Sequence, residues 1–138
     1  MRKPVFFMTA LLAAAVFFSC GQSEKLIDKV FVMNIKPGDD QLKAYLDYHR
    51  NVWPEVEKGF TLAGYEKIRL FRSHHTVVMV IAVPEGADLA AMGKKAESYD
   101  KRCAEWNRLM AGYQEGVAGT APGETWTEAA PFYEFSRP

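Results

Sequence analysis

Residues 65–83, YEKIRLFRSHHTVVMVIAV, hold two β-rich runs with only a few residues between them. Parallel strands need a crossover of about a dozen residues or more, so these two must pair as an antiparallel hairpin turning near Ser73-His74. The rest of the chain is arranged around that hairpin. Before it come an alternating run, KVFVMNIKP (29–37), and an apolar stripe at helical spacing that reaches Phe60. After it, about Asp88 to Gly112, a second stripe carries Leu89, Met92, Ala96, Tyr99, Cys103, Trp106 and Met110. A loop (116–124) and a last β-rich run (125–135), interrupted by Pro131, complete the chain. The order βαββαβ predicts an α+β, ferredoxin-like domain, one antiparallel sheet with its helices on one face. The opposite face is then apolar and bare. Two copies packing face to face into an α+β barrel would cover it, so a homodimer is expected.

The first helix is expected from about Gln41 to Leu62, capped by Asp39 or Asp40 and ended at Gly64. Its inward stripe is Leu42, Tyr45, Leu46, His49, Val52, Trp53, Val56 and Phe60. Pro54 lies inside this helix and has no N–H to give the Arg50 carbonyl, so a kink or break is expected near Trp53. Pro84-Glu85-Gly86 reads as a turn.

The N-terminus has a different character. MRKPVFFMTALLAAAVFFSC places Arg2 and Lys3 before an apolar run ending at Phe18, followed by Ser19-Cys20. A positive start, a short apolar run and a small residue before a cysteine resemble a bacterial lipoprotein leader. The expected division is a signal peptide at 1–19, a lipidated Cys20 with its tether at 20–27, and one domain at 28–136. The mature protein would then be exported and held to a bacterial membrane by lipid. Lys+Arg and Asp+Glu both number 17 in the whole chain, so no basic field suggests nucleic acid as a partner. With Cys20 acylated, Cys103 has no cysteine to pair with and falls on an apolar stripe as a small buried residue.

His49 is the anomaly in the first stripe. An imidazole there is either packing or chemistry, and Tyr45, one turn earlier, brings a second proton-handling group to the same face. Trp53 fits core packing. Trp106 fits either packing or a flat wall against a sugar ring. His74 and His75 are adjacent on a strand and point to opposite faces, so they do not form a metal pair. Glu55 and Glu57 diverge on a helix and make no carboxylate dyad. No nucleophile elbow, phosphate-binding glycine loop or zinc spacing occurs.

The segments KVFVMNIKP…YLDYHRNVWPEV and AEWNRLMAGYQ…APGETWTEAAPFYEF resemble the L-rhamnose mutarotase family over about residues 28–136. The spacing Tyr-x-x-x-His-x-x-x-Trp-Pro-Glu carries most of the likeness. The resemblance implies a dimeric α+β barrel in which His49 is the proton donor, with Tyr45 and Trp106 contacting sugar. Asn107 stands where the family has a second tryptophan, and Ile68 where it has a sugar-contacting tyrosine on the second strand.

The implied reaction exchanges the α and β anomers of L-rhamnose or a related neutral sugar by opening and reclosing a cyclic hemiacetal. It requires proton transfer and no metal, nucleotide or covalent intermediate, so no cofactor is expected. Two other functions fit the same fold: a sugar-binding lipoprotein without catalysis, and a dimeric-barrel oxygenase.

Overall fold

The computed structural model describes residues 24–137. The proposed leader, Cys20 and residues 21–23 of the tether lie outside them, and β1 begins at Leu26, two residues before the expected start of the domain at 28, because its ladder to β3 runs as far as Leu26 opposite Pro84. The elements are β1 (Leu26–Ile35), α1 (Asp39–Arg50), α2 (Pro54–Ala63), β2 (Lys67–Ser73), β3 (Thr76–Pro84), α3 (Leu89–Ser98), α4 (Lys101–Tyr113), β4 (Gln114–Glu115) and β5 (Thr127–Glu128). β2 and β3 form the expected antiparallel hairpin, with Ile68 opposite Ile81 and Leu70 opposite Met79. β3 pairs antiparallel with β1, and the outer edge of β1 pairs with β4 and then β5. This is the ferredoxin-like α+β arrangement, with each helical segment in two pieces.

The first break follows from Pro54. α1 ends at Arg50, and α2 restarts with Pro54 in its first turn, where a missing N–H costs nothing. α2 ends at Gly64, whose φ of 96° is the left-handed conformation that glycine adopts freely. There the Tyr65 N–H reaches back to the Phe60 carbonyl at 3.1 Å. The α1 cap differs from expectation. Gly38 is the cap residue, at φ 115°, and Asp39 and Asp40 lie in the first turn, where their charge favours the helix dipole.

The second break was not expected. α3 stops at Ser98, and Asp100, in extended conformation, starts α4 by accepting the Arg102 N–H at 2.8 Å. Asp88 caps α3 in the same way through the Ala91 N–H at 3.0 Å. Helices α2 and α3 approach closely at Gly59. A side chain there would meet the Ala96 carbonyl oxygen at 2.7 Å.

Odd-numbered residues of β1 and β3 face the helices, among them Met33, Ile35, Val77, Ile81 and Val83, all buried. Even-numbered residues form the other face: Val30, Val32, Val78, Val80 and Ala82, with Phe71 from β2. No element among the described residues covers that face. The last strand is far shorter than expected. Pairing beyond Glu128 ends with one bond from the Ala129 N–H to the Val30 carbonyl, 2.8 Å, and the chain then leaves the sheet at Pro131.

Candidate active site

Between the sheet and the helices lies an open cavity of about 1150 Å³. Its lining includes His49, Tyr45, Trp106, Asn107 and Ile68, so every residue singled out for a sugar site reaches one space. α1 supplies the first two, α4 the next two and β2 the last.

His49 is half-buried near the end of α1. Its Nδ1 lies 2.9 Å from the carbonyl oxygen of Tyr45, one turn earlier. A carbonyl only accepts, so in the neutral ring the hydrogen belongs on Nδ1 and Nε2 keeps its lone pair. Burial lowers the His49 pKa below 6.5, partly offset by that backbone hydrogen bond. Burial thus favours the neutral ring, in which Nε2 is the accepting nitrogen.

Tyr45 has the complementary polarity. It is only 2% exposed, and burial raises its phenol pKa above the usual value. Its Oη accepts a hydrogen bond from Gln114 Nε2 at 3.3 Å. With the oxygen engaged as acceptor, its own O–H remains free to donate. The Tyr45 and His49 rings lie 4.3 Å apart between centroids. An acceptor nitrogen and a donor hydroxyl thus stand side by side on one helix.

Gln114 is a cavity residue that no reading of the sequence singled out. It is the first residue after α4, opposite Ile35 on β1, and it also lines the cavity. No motif marks it; the only signal is that it follows the second helical stripe directly.

Trp106 proves to be both core and wall: 5% exposed, and part of the cavity lining. It meets His49 edge-on at 5.4 Å and Trp53 at 5.3 Å. Trp53 is packing, as expected, and it carries the Arg102 guanidinium 3.8 Å above its ring. Arg102 also faces Glu55, Nε to Oε2 3.9 Å, which otherwise leaves that buried carboxylate oxygen without a hydrogen bond. The Trp-Pro-Glu turn therefore braces Trp106, and Trp106 braces His49. Cys103 is buried, and its Sγ lies 3.3 Å from the Glu55 carbonyl oxygen.

The opposite wall is apolar. Ile68 and Leu70 of β2 continue Ile81 and Met79 of β3, with Phe31 and Tyr65 alongside. Asn107 sits at the rim, its Nδ2 donating to Glu97 Oε2 at 3.2 Å.

The family model for L-rhamnose mutarotase matches residues 29–135. An L-fucose mutarotase of Xanthomonas campestris pv. campestris is 33% identical over 108 residues, 77% of this chain and 86% of that protein. An L-rhamnose mutarotase structure from Formosa agariphila superposes with a TM-score of 0.51 at 21% identity, covering 78% of this chain and 99% of that one. Tetracenomycin F2 cyclase of Streptomyces glaucescens shares the fold at 18% identity, with a TM-score of 0.50 and coverage of 81% and 99%. So does a dimeric ferredoxin-like protein from an uncultured marine organism, at 11% identity, with a TM-score of 0.50 and coverage of 84% and 95%. The family match spans nearly all of the described fold, and this chain belongs to the L-rhamnose mutarotase family, isomerases that interconvert sugar anomers.

Proposed function

We propose that this protein interconverts the anomers of a neutral 6-deoxyhexose, with L-rhamnose and L-fucose as the leading substrates, and that His49 and Tyr45 move the protons. One observation carries the reading: His49 and Tyr45 line the same cavity with opposite hydrogen-bonding polarity. In the opening step His49 Nε2 takes the proton of the anomeric hydroxyl. The C1–O5 bond breaks as Tyr45 donates its proton to the ring oxygen. Atoms and charge balance: a free aldehyde and a 5-hydroxyl form, leaving imidazolium and phenolate. Rotation about C1–C2 exposes the other face of the aldehyde, and closure returns both protons to their donors. His49 thus begins as the base and becomes the donor on closure, which refines the donor role implied by the family resemblance. Trp106 offers a flat surface to the sugar's C–H bonds, and Ile68 and its neighbours an apolar wall for a methyl group.

The test is saturation transfer between anomer signals by NMR, using rhamnose, fucose, glucose and galactose. Faster exchange of a 6-deoxy sugar at catalytic protein concentration supports the reading. Sugar binding without acceleration would leave a binding protein and end it.

We further propose that the working form is a homodimer, because the face carrying Val30, Val32, Val78 and Val80 is apolar and uncovered. Export with lipid on Cys20 rests on the order of charges, apolar run and Ser19-Cys20 in the sequence. Mass spectrometry of membrane-extracted protein tests it; an unmodified Cys20 in the mature chain sinks it.

A further inference from the structure

Two of the stripes that line the cavity are apolar except at one residue each. α3 turns Leu89, Ala90, Gly93, Ala96 and Glu97 to it, and α4 turns Cys103, Trp106, Asn107 and Met110. The two exceptions meet. Asn107 Nδ2 donates to Glu97 Oε2 at 3.2 Å, across the break that Asp100 makes between the helices. Both residues are exposed, so the pair stands at the rim and not in the core. Lys94 is one turn earlier on the same helix, yet among the described residues Glu97 makes no ion pair. A neutral amide holds the carboxylate and leaves its charge uncompensated. Glu97 Oε1 and Asn107 Oδ1 remain as acceptors.

We propose that Glu97, oriented by Asn107, determines sugar specificity by accepting a hydrogen bond from a hydroxyl on the C3–C4 edge of the ring. The inference rests on the mutarotase reading, which puts C1 and O5 against His49 and Tyr45. Trp106 then fixes the direction. It lies 5.4 Å from His49 and is the chain neighbour of Asn107. A pyranose laid on that indole with C1 and O5 toward His49 turns C4 and C3, the atoms opposite them in the ring, toward Asn107 and Glu97. Two acceptors side by side need donors, and sugar hydroxyls supply them. The consequence is selection. A carboxylate at this rim repels uronic acids and sugar phosphates, whose charge has the same sign. Among neutral sugars, the direction of the hydroxyls at C3 and C4 decides which ones reach Glu97. L-Rhamnose and L-fucose have opposite configurations at C4, so Glu97 is the group that tells them apart.

The test pairs changes in the protein with changes in the sugar. Glu97→Leu should raise KM for the preferred 6-deoxy sugar about tenfold, the low end for a hydrogen bond to a charged group, with a smaller change in kcat. Glu97→Gln keeps an accepting oxygen and should recover part of that loss. Derivatives of the same sugar lacking the 3-hydroxyl or the 4-hydroxyl are the matching probes. One of them should lose a similar factor on the unchanged protein and almost nothing further on Glu97→Leu, where the contact is already gone. An unaltered KM in Glu97→Leu, or losses that add for both derivatives, overturns the proposal. Dissociation constants for the same sugars, from chemical-shift titration, separate this inference from the reaction. The expected pattern in affinity without anomer exchange ends the mutarotase reading and keeps Glu97 as the specificity residue. Anomer exchange that is indifferent to Glu97 does the reverse, and protein that neither binds nor exchanges any of these sugars overturns both.

Discussion

The two ends of the cavity are built differently. At the His49 end every ring is held by another. Tyr45 meets His49 at 4.3 Å, His49 meets Trp106 at 5.4 Å, Trp106 meets Trp53 at 5.3 Å, and Arg102 covers Trp53 at 3.8 Å. At the β2 end, Leu70 and Phe71 stand on a strand that, among the described residues, pairs on one side alone, and they are 39% and 52% exposed. Proton transfer needs groups fixed to a fraction of an ångström, which one tightly packed chain provides. An apolar wall that only fits a shape tolerates looser support. Changes at the first end should therefore act on rate, and changes at the second on affinity and sugar choice.

The largest test of that division is His49→Gln. It keeps size and polarity but removes the proposed base, and anomer exchange should fall about 10²-fold or more. The melting temperature should change little, because the residue faces a cavity that already exists. A well-folded His49→Gln protein with full activity would remove the distinction between the ends altogether.

Acid provides the next test. The His49 pKa is lowered by burial, so the accepting form persists through neutral pH and is lost as pH falls through a value below 6.5. The protein-dependent rate should be flat from neutral pH upward and drop about tenfold per pH unit on the acid side. Stability moves in the same direction. The native state binds fewer protons than the unfolded one, so the His49 contribution is present above 6.5 and lost as pH falls through the folded pKa. His49→Gln should abolish the acid limb attributable to this group. An acid limb unchanged by the substitution would assign it elsewhere.

Tyr45→Phe removes the proposed acid, so exchange should fall about 10²-fold, the lower end of an acid–base contribution. It leaves Gln114 Nε2 without its partner, so a small loss of thermal stability should accompany it. Gln114→Leu should have a weaker effect, about fivefold in rate. Combined with Tyr45→Phe it should add almost nothing, since Gln114 acts through the tyrosine hydroxyl; additive effects in the double variant would separate the two.

The smallest effect is expected at the other end. Ile68→Val removes one methylene from the apolar wall, a change of about 0.5–1.5 kcal/mol at most. It should appear as a few-fold rise in KM for 6-deoxy sugars with kcat unaltered. A loss of kcat instead would mean that the β2 end takes part in chemistry.

Much of this division is legible from residue spacing alone. Helical periodicity puts Tyr45 and His49 on one face wherever α1 lies, and Pro54 stops that helix by the loss of one N–H. The break between α3 and α4 is different. Tyr99 and Cys103 keep the apolar spacing across it, so the pattern reads as one helix. Asp100 ends it by capping a new helix, a competition between side-chain and backbone hydrogen bonding that periodicity does not register. Gln114 was hidden for a related reason. It reaches Tyr45 across 69 positions of sequence, through a two-residue strand that exists only because β1 is there to pair with it.

The sequence by itself determined the βαββαβ order, the inward stripe and the side-by-side placement of Tyr45 and His49, because each follows from local geometry repeating every two or 3.6 residues. Only the tertiary structure decided which His49 nitrogen is left to accept a proton, that Gln114 engages the Tyr45 oxygen, and that Trp106 is at once core and wall. It also decided that the last strand leaves the sheet after Ala129. The His49 bond to the Tyr45 carbonyl is a side-chain rotamer choice within one helical turn, and the others depend on distances between segments far apart in the chain; no local period encodes either.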